Sequence, residues 1–243
     1  MSGRIAYYGN IVKDGLVLDL DAAKLDSYPK TGTTWNDISG NGNNGTLTNG
    51  PVYDSTNFGN VVFDSVDDYV DCSSSSLLNF GTGNFTLCAW FKTNTTLRRT
   101  ILSRFDYNNL GTIERGYYID ILATGKIRTA FETDGTNYRV TDSNTLVNTN
   151  NYFYVTATRT NTTTINVYVN GVFESSNTLT QGTPSSINVV TAPLTIGRRA
   201  DYQTPTFTNY FVGNIPSVQL YNRALSASEI LQNYNALKGR FGL

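Results

Sequence analysis

The closing stretch Gly213–Leu243, GNIPSVQLYNRALSASEILQNYNALKGRFGL, constrains the fold more than any other part of the chain. Its first part alternates. Ile215, Ser217, Gln219 and Tyr221 fall to one side and Pro216, Val218 and Leu220 to the other, the pattern of a half-buried strand. A helix follows at once. Ser226 with Glu229 three residues later is a capping box, in which hydroxyl and carboxylate each satisfy an orphan amide of the first turn. Ala227, Ile230, Leu231, Tyr234 and Leu237 recur at helical spacing, so one face of this helix must dock on something. The rest of the sequence reads almost wholly as strands, which predicts docking at the edge or end of a sheet.

Leu16 to Asp21, LVLDLD, puts Leu16, Leu18 and Leu20 to one side and Asp19 and Asp21 to the other, and reads as the first strand of a sandwich. The segment SYPKTGTTWNDISGNGNNGTLTNGP is dense in Asn-Gly and Gly-Asn pairs that mark consecutive turns, with Trp35 expected over the end of the core. Val61 to Phe63 and Tyr69 to Asp71 flank a tight turn. Phe85 to Lys92, FTLCAWFK, carries large apolar residues on both faces and reads as a central strand. Strands continue through Thr100 to Ser103, Tyr117 to Ile121, Lys126 to Glu132, Tyr138 to Thr141 and Tyr152 to Arg159. In INVYVNGVFESS, Ile165, Val167 and Val169 face one way and Asn170-Gly171 supplies the primed hairpin turn. Pro193 to Gly197 and Phe211 to Tyr221 complete the sheets. No long-period repeat or linker divides the chain, and 243 residues suffice for one all-β domain with a large core. The reading is an arm over 1–14 and a single domain over 15–243. Ile5, Tyr7 and Tyr8 of the arm suit pairing with a sheet edge, here or on a neighbouring molecule, or a strand packed on their own domain.

The absence of histidine removes the commonest general base near neutral pH, every Ser-His or Cys-His pair, and the usual zinc and copper sites. A net charge of −1 with no basic run argues against nucleic acid and anionic membranes as partners. The start of the chain has no apolar core of signal-peptide length and no run approaches a membrane span, so a soluble protein made in a cytoplasm is expected. Cys72 and Cys88 then read as reduced, buried side chains.

Tyr221 to Ile230, Y-N-R-A-L-S-x-x-E-I after a strand, resembles the closing signature of concanavalin A-like, laminin-G-like jelly-roll domains. The S-G-N-G-N-N-G-T-L loop, the F-D-x-x-D-D-Y-V turn with Ser65 where glycine is usual, the F-T-L-C-A-W-F strand and the V-Y-V-N-G-V hairpin follow in that family's order. The resemblance implies an all-β jelly-roll sandwich of two antiparallel sheets with a short C-terminal helix. More narrowly, the opening R-I-A-Y-Y-G-N-I-V-x-x-G-L-V-L and closing Y-N-A-x-K-x-R-F-G-L are similar to virion proteins of tailed bacteriophages. This implies a non-enzymatic virion structural protein, a capsid decoration or surface-attachment module on the virion surface, assembled in the host cytoplasm. Its partners would be major capsid or tail proteins. The alternative is a carbohydrate-binding lectin or tail adhesin that meets host surface glycans.

Three candidate sites follow. Asp37, Ser39, Asn41 and Asn43, with Gly42 at the bend, repeat the first half of an EF-hand loop. Thr48 stands where a bidentate glutamate would be needed, so a structural calcium, which the family often holds near the sandwich rim, would draw on Asp64, Asp67 and Asp68. The alternative is that these side chains cap their own turns. Arg98, Arg99, Arg104 and Tyr107 in one connection, Arg198, Arg199, Tyr202, Phe207 and Tyr210 in another, and Tyr138 offer aromatic faces with arginine donors. They suit glycan stacking, a protein interface, or shielding of the barrel ends alike. Family glucanases place paired glutamates on one strand, whereas this chain has only Glu114, Glu132, Glu174 and Glu229. Glu132 with Asp134 is the one close acidic pair on a strand, and it runs into a turn at Gly135, so no catalysis is expected. The Asn-x-Thr sequons at Asn84 and Asn94 carry no glycosylation prediction without a secretory route.

Overall fold

Strand β7 (Phe85–Lys92) sets the architecture because both of its faces are buried. Phe85, Leu87, Ala89 and Phe91 enter the main core, while Cys88 and Trp90 enter a second cluster behind it. The computed structural model describes residues 10–243 apart from 73, 108–113, 133–137, 162, 179–185, 189–191 and 200–208, and the side chains of 106, 107, 114 and 138 also lie outside the described set.

The other strands are β1 (Leu16–Asp21), β2 (Thr34–Trp35), β3 (Gly45–Thr48), β4 (Val52–Asp54), β5 (Asn60–Asp64), β6 (Tyr69–Asp71), β8 (Arg99–Tyr107) and β9 (Glu114–Ile121). They continue with β10 (Lys126–Glu132), β11 (Tyr138–Leu146), β12 (Tyr152–Thr160), β13 (Thr164–Val169), β14 (Val172–Thr178), β15 (Thr195–Ile196) and β16 (Val212–Tyr221), and helix α1 (Ala227–Lys238) follows. The first sheet runs β14-β13-β12-β7-β16-β5-β4, with β1 also on β16, and the second runs β11-β10-β9-β8-β15-β6-β3-β2. Every strand pairing among the described residues is antiparallel. The fold is therefore the expected all-β sandwich with one short C-terminal helix.

β5 and β6 belong to different sheets, so the turn between them crosses the sandwich instead of closing a hairpin. Ser65 in that turn sits at φ 77, a left-handed conformation natural to glycine. Along one side, edge strands β11 and β14 are joined by side chains. The Glu174 carboxylate accepts from the Asn144 and Thr145 amides (2.9 and 3.1 Å) and the Thr145 hydroxyl (2.7 Å), and Asn177 Nδ2 donates to the Val140 carbonyl (2.8 Å).

Two bulges correct the simple alternation. The β16–β7 register shifts between Asn214 and Ser217, which turns Ile215 into the main core with Val218 and Leu220. Pro216 has no amide to give the ladder, and its carbonyl accepts from Ala22 (2.9 Å), so the bulge falls where a proline is tolerated. A second shift between Leu16 and Leu18 turns Leu16 into the rear cluster while Leu18 and Leu20 stay in the core. Trp35 is fully buried and belongs to the main core; it pairs with Gly45, where a Cβ would meet Val70 at 2.6 Å.

The helix also docks differently from expectation. Its capping box forms as predicted. Its buried residues are Ile230, Asn233, Ala236 and Leu237, with Ala227 and Leu231 left exposed, and it lies on the outer face of the first sheet. Tyr234 stacks 5.6 Å from Trp90 there, beside Tyr154 at 6.3 Å. Middle strands with apolar residues on both faces leave an outer face that only a covering layer can bury. Phe241 completes that layer, 4.4 Å from both Trp90 and Tyr152. From the arm, Ile11 and Val12 join it; Val12 donates to Asn233 Oδ1 (2.8 Å) and accepts from the Tyr221 hydroxyl (3.0 Å). Ile5, Tyr7 and Tyr8 lie outside the described residues. Cys72 and Cys88 are free and buried in different clusters, and burial pushes both thiols up, Cys88 to about 11.

Candidate functional site

The second sheet faces outward with quite different chemistry. Tyr117, Ile119, Ile121, Ile127 and Phe131 take its inward rows, so alternation and register place Tyr118 and Asp120 of β9, Ser103 and Phe105 of β8, and Arg128, Ala130 and Glu132 of β10 on the outer face. Asp120 is fully buried at the centre. Its Oδ2 accepts from Arg98 Nε and Nη2 (2.8 and 2.6 Å), its Oδ1 from the Thr100 hydroxyl (2.7 Å), and Arg199 Nη1 lies 3.7 Å away. The Arg199 guanidinium stands over the rings of Tyr118 (4.5 Å) and Phe105 (5.2 Å), which meet edge to face. Ala130 completes this small apolar patch, with Val140 packed against it. Burial pushes the Tyr118 phenol up, with Asp120 adding to the effect and Arg199 and Arg98 opposing it. Beside it Arg128 and Asp142 form a two-bond ion pair, 2.8 Å on each arm and about a third exposed. Next to the face, Arg198 lies 3.4 Å from the ring centroid of Tyr69, with its carbonyl held by Ser103 and Thr195 hydroxyls.

Of the residues named from sequence, Arg98 and Arg199 converge on Asp120, and Arg198 joins the same side through Tyr69. Arg99 is half-buried, its Nη1 on the Arg98 carbonyl (3.3 Å), and burial lowers its guanidinium pKa. Arg104 points the other way. Its register opposite Tyr117 turns it inward, where it is fully buried and donates to the carbonyls of Ser75 (2.6 Å) and Ser74 (3.2 Å). It holds a loop and is no part of the surface. Tyr210 is half-buried. Tyr202 and Phe207, and the side chains of Tyr107 and Tyr138, lie outside the described residues. Sequence reasoning missed Asp120, Tyr118, Tyr69, Arg128 and Asp142. Their only signal is alternation within β6, β9, β10 and β11, and cross-strand register is needed to make neighbours of them.

The loop from Asp37 holds itself. Its Oδ1 accepts from the Asp19 and Ser39 amides (2.9 Å each), and its Oδ2 from the Ser39 hydroxyl (2.8 Å) and the Asn43 amide (2.9 Å). Asn43 Nδ2 donates to the Val17 carbonyl (2.8 Å), and Asn41 Nδ2 to the Leu16 carbonyl (3.2 Å) and Ser39 Oγ (3.0 Å). A carboxylate with both oxygens doubly engaged by the chain does not fit as a calcium ligand. Asp64, Asp67 and Asp68 form a separate group, with ligand oxygens within 4.8 Å of one another. Burial raises the Asp68 carboxyl, with Asp64 and Asp67 adding to the effect and the Asp64 amide opposing it. The seven residues therefore fall into two groups rather than one ion cage.

Among the glutamates, Glu174 joins the sheets, and Glu229 caps the helix and pairs with Arg223 (2.7 Å). Glu132 lies on the outer face, 8% exposed. Asp134 and the Glu114 side chain lie outside the described residues. Among the described residues no helix is long and apolar enough to cross a membrane.

A family model described as the concanavalin A-like lectin/glucanases superfamily matches residues 64–231. No curated protein sequence matches the chain. Among solved structures it is similar to the binding domain of paraclostridial mosquitocidal protein 1, at TM-score 0.71 and 16% identity, over 92% of this chain and 52% of that one. It is also similar to the receptor binding domain of botulinum neurotoxin C/D mosaic serotype (TM-score 0.67, 16% identity, 92% of this chain and 51% of that one). A third is the binding domain of botulinum neurotoxin DC in complex with SialylT (TM-score 0.66, 16% identity, 93% and 52%). The chain spans about half the length of these structures, and at this identity the likeness shows the fold.

Proposed function

We propose, from the premise that the chain belongs to the concanavalin A-like lectin/glucanases superfamily, that it is a non-catalytic binding module whose second sheet meets carbohydrate with its outer face. The observation that carries this reading is the Arg98–Asp120–Arg199 cluster over Tyr118, flanked by the Arg128–Asp142 pair. Guanidinium donors, carboxylate acceptors and ring faces are already locked to one another. A sugar would meet donors of fixed direction at little entropic cost. Similar solved structures, one named a receptor binding domain and another a binding domain in complex with SialylT, support the glycan reading over a purely protein-protein contact. The resemblance of the chain's two ends to tailed-phage virion proteins supplies a setting: a module on a particle surface, joined to other virion proteins and presenting this face to host glycans.

A glycan array with the purified protein tests the proposal, followed by NMR titration of the best hit. Binding at millimolar affinity or tighter that is lost in Arg98→Ala and Arg128→Ala, at a melting temperature near that of the wild type, is the expected result. Absence of any such binding by the wild type, or binding indifferent to both substitutions, overturns it.

A further inference from the structure

Four Asn-Gly pairs occur in the sequence, at Asn41-Gly42, Asn44-Gly45, Asn49-Gly50 and Asn170-Gly171. Each has the chemistry for spontaneous deamidation. The glycine amide nitrogen adds to the asparagine side-chain carbonyl carbon, ammonia leaves carrying the amide proton, and water opens the cyclic imide at either carbonyl to give aspartate or isoaspartate. Glycine leads this reaction because it has no side chain to hinder the attacking nitrogen.

The structure separates the four. Asn44 Oδ1 accepts from the Asp37 amide (2.9 Å), and Gly45 is buried in β3 against Val70. Asn170 is held twice by Tyr154, its Oδ1 accepting from that amide (2.9 Å) and its own amide donating to that carbonyl (2.8 Å), while Gly171 packs against Leu231 and Tyr234. Asn41 is exposed, but its Nδ2 donates to two acceptors, the Leu16 carbonyl and Ser39 Oγ. Asn49 and Gly50 are both exposed, and the Asn49 side chain makes a single bond, Nδ2 to the Asp67 carbonyl (3.1 Å). We infer that Asn49 is a modification site, the first asparagine of the folded protein to deamidate, and that its conversion places a new carboxylate beside Asp64, Asp67 and Asp68.

The position gives the conversion a consequence. The product has no Nδ2 to donate, so an oxygen faces the Asp67 carbonyl where a donor stood. A Cβ on Gly50 would lie 3.6 Å from Asp68 Oδ1, which places the turn against the acidic group. A further like charge there adds repulsion to the group, so the converted protein loses stability, and salt screens the loss.

Folded and urea-unfolded protein are incubated side by side in mildly alkaline buffer and mapped by peptide mass spectrometry. In the folded protein Asn49 is expected to convert several-fold faster than Asn41, Asn44 and Asn170, and the unfolded chain should level the four. Another site leading in the folded protein, or the same ranking in both samples, overturns the assignment. Asn49→Asp should melt lower than wild type, with the gap narrowing in high salt, whereas Asn49→Gly, which takes φ 66 without strain and adds no charge, should show no such salt dependence. A neutral-pH melting point unchanged in Asn49→Asp overturns the coupling to the acidic group.

Discussion

The outer faces of the two sheets solve one problem by opposite means. Behind the first sheet, Trp90, Tyr152, Tyr154 and Tyr221 are covered by helix α1, Phe241 and Ile11–Val12, an apolar layer closed with aromatic contacts. On the second sheet, the polar side chains satisfy one another in place, with Asp120 holding Arg98 and Arg199 above Tyr118 and Phe105. An apolar face must be covered by other parts of the chain, whereas this polar face pairs with itself and leaves Arg98, Arg128 and Asp142 about a third exposed to a partner. The contrast makes the second face the place to look for binding and the first the place to look for stability.

Trp90→Ala should break the comparison hardest. Removing a fully buried indole that touches Tyr154, Tyr234 and Phe241 is expected to cost about 4 kcal/mol in denaturant unfolding. Its glycan binding should survive wherever the fold does; loss of binding at retained fold would mean that the faces are not independent. Asp120→Asn comes next, at about 2 kcal/mol, because Arg98 keeps its place but loses a charge-assisted partner. That variant should also weaken glycan binding, and full affinity would show that the arginines need no anchoring.

Glu229→Gln sharpens the first face alone, at about 1 kcal/mol for the lost ion pair with Arg223, since glutamine can still complete the capping box. Its hydrogen-bonded Arg223, with Ser226, holds the Glu229 carboxyl down from an ordinary 4.5 to about 2. A depressed folded pKa contributes stability above the unfolded value, so the deficit of the variant should be full at neutral pH and fade as pH falls from 4.5 towards 2. A deficit that persists in acid would mean the carboxylate charge is not what matters. Ser65→Gly belongs to neither face and should raise stability by about 0.5 kcal/mol, since glycine takes φ 77 without strain and offsets its greater unfolded freedom. No gain in thermal unfolding would show that the turn carries no strain.

Much of this was legible along the chain. The alternation of Phe85–Lys92, the hairpin at Asn170-Gly171 and the capping box at Ser226 are local patterns, and each reappears in the structure. The turns of Leu16 and Ile215 were not legible, because a bulge resets which face follows and is decided by the partner strand. Arg104 shows the same limit in the candidate site. Its composition suits a surface, and only its place opposite Tyr117 turns it inward.

What the sequence by itself determined is the class of fold, two antiparallel layers and one capped helix, because backbone periodicity and capping act between residues a few positions apart. Only the tertiary structure decided how each outer face is closed, that Asp120 rather than a loop arginine is the hub of the second, and that Asp37 serves its own loop. Those outcomes depend on cross-strand register, which brings together residues far apart in the chain through backbone hydrogen bonds that look alike whatever side chains they carry.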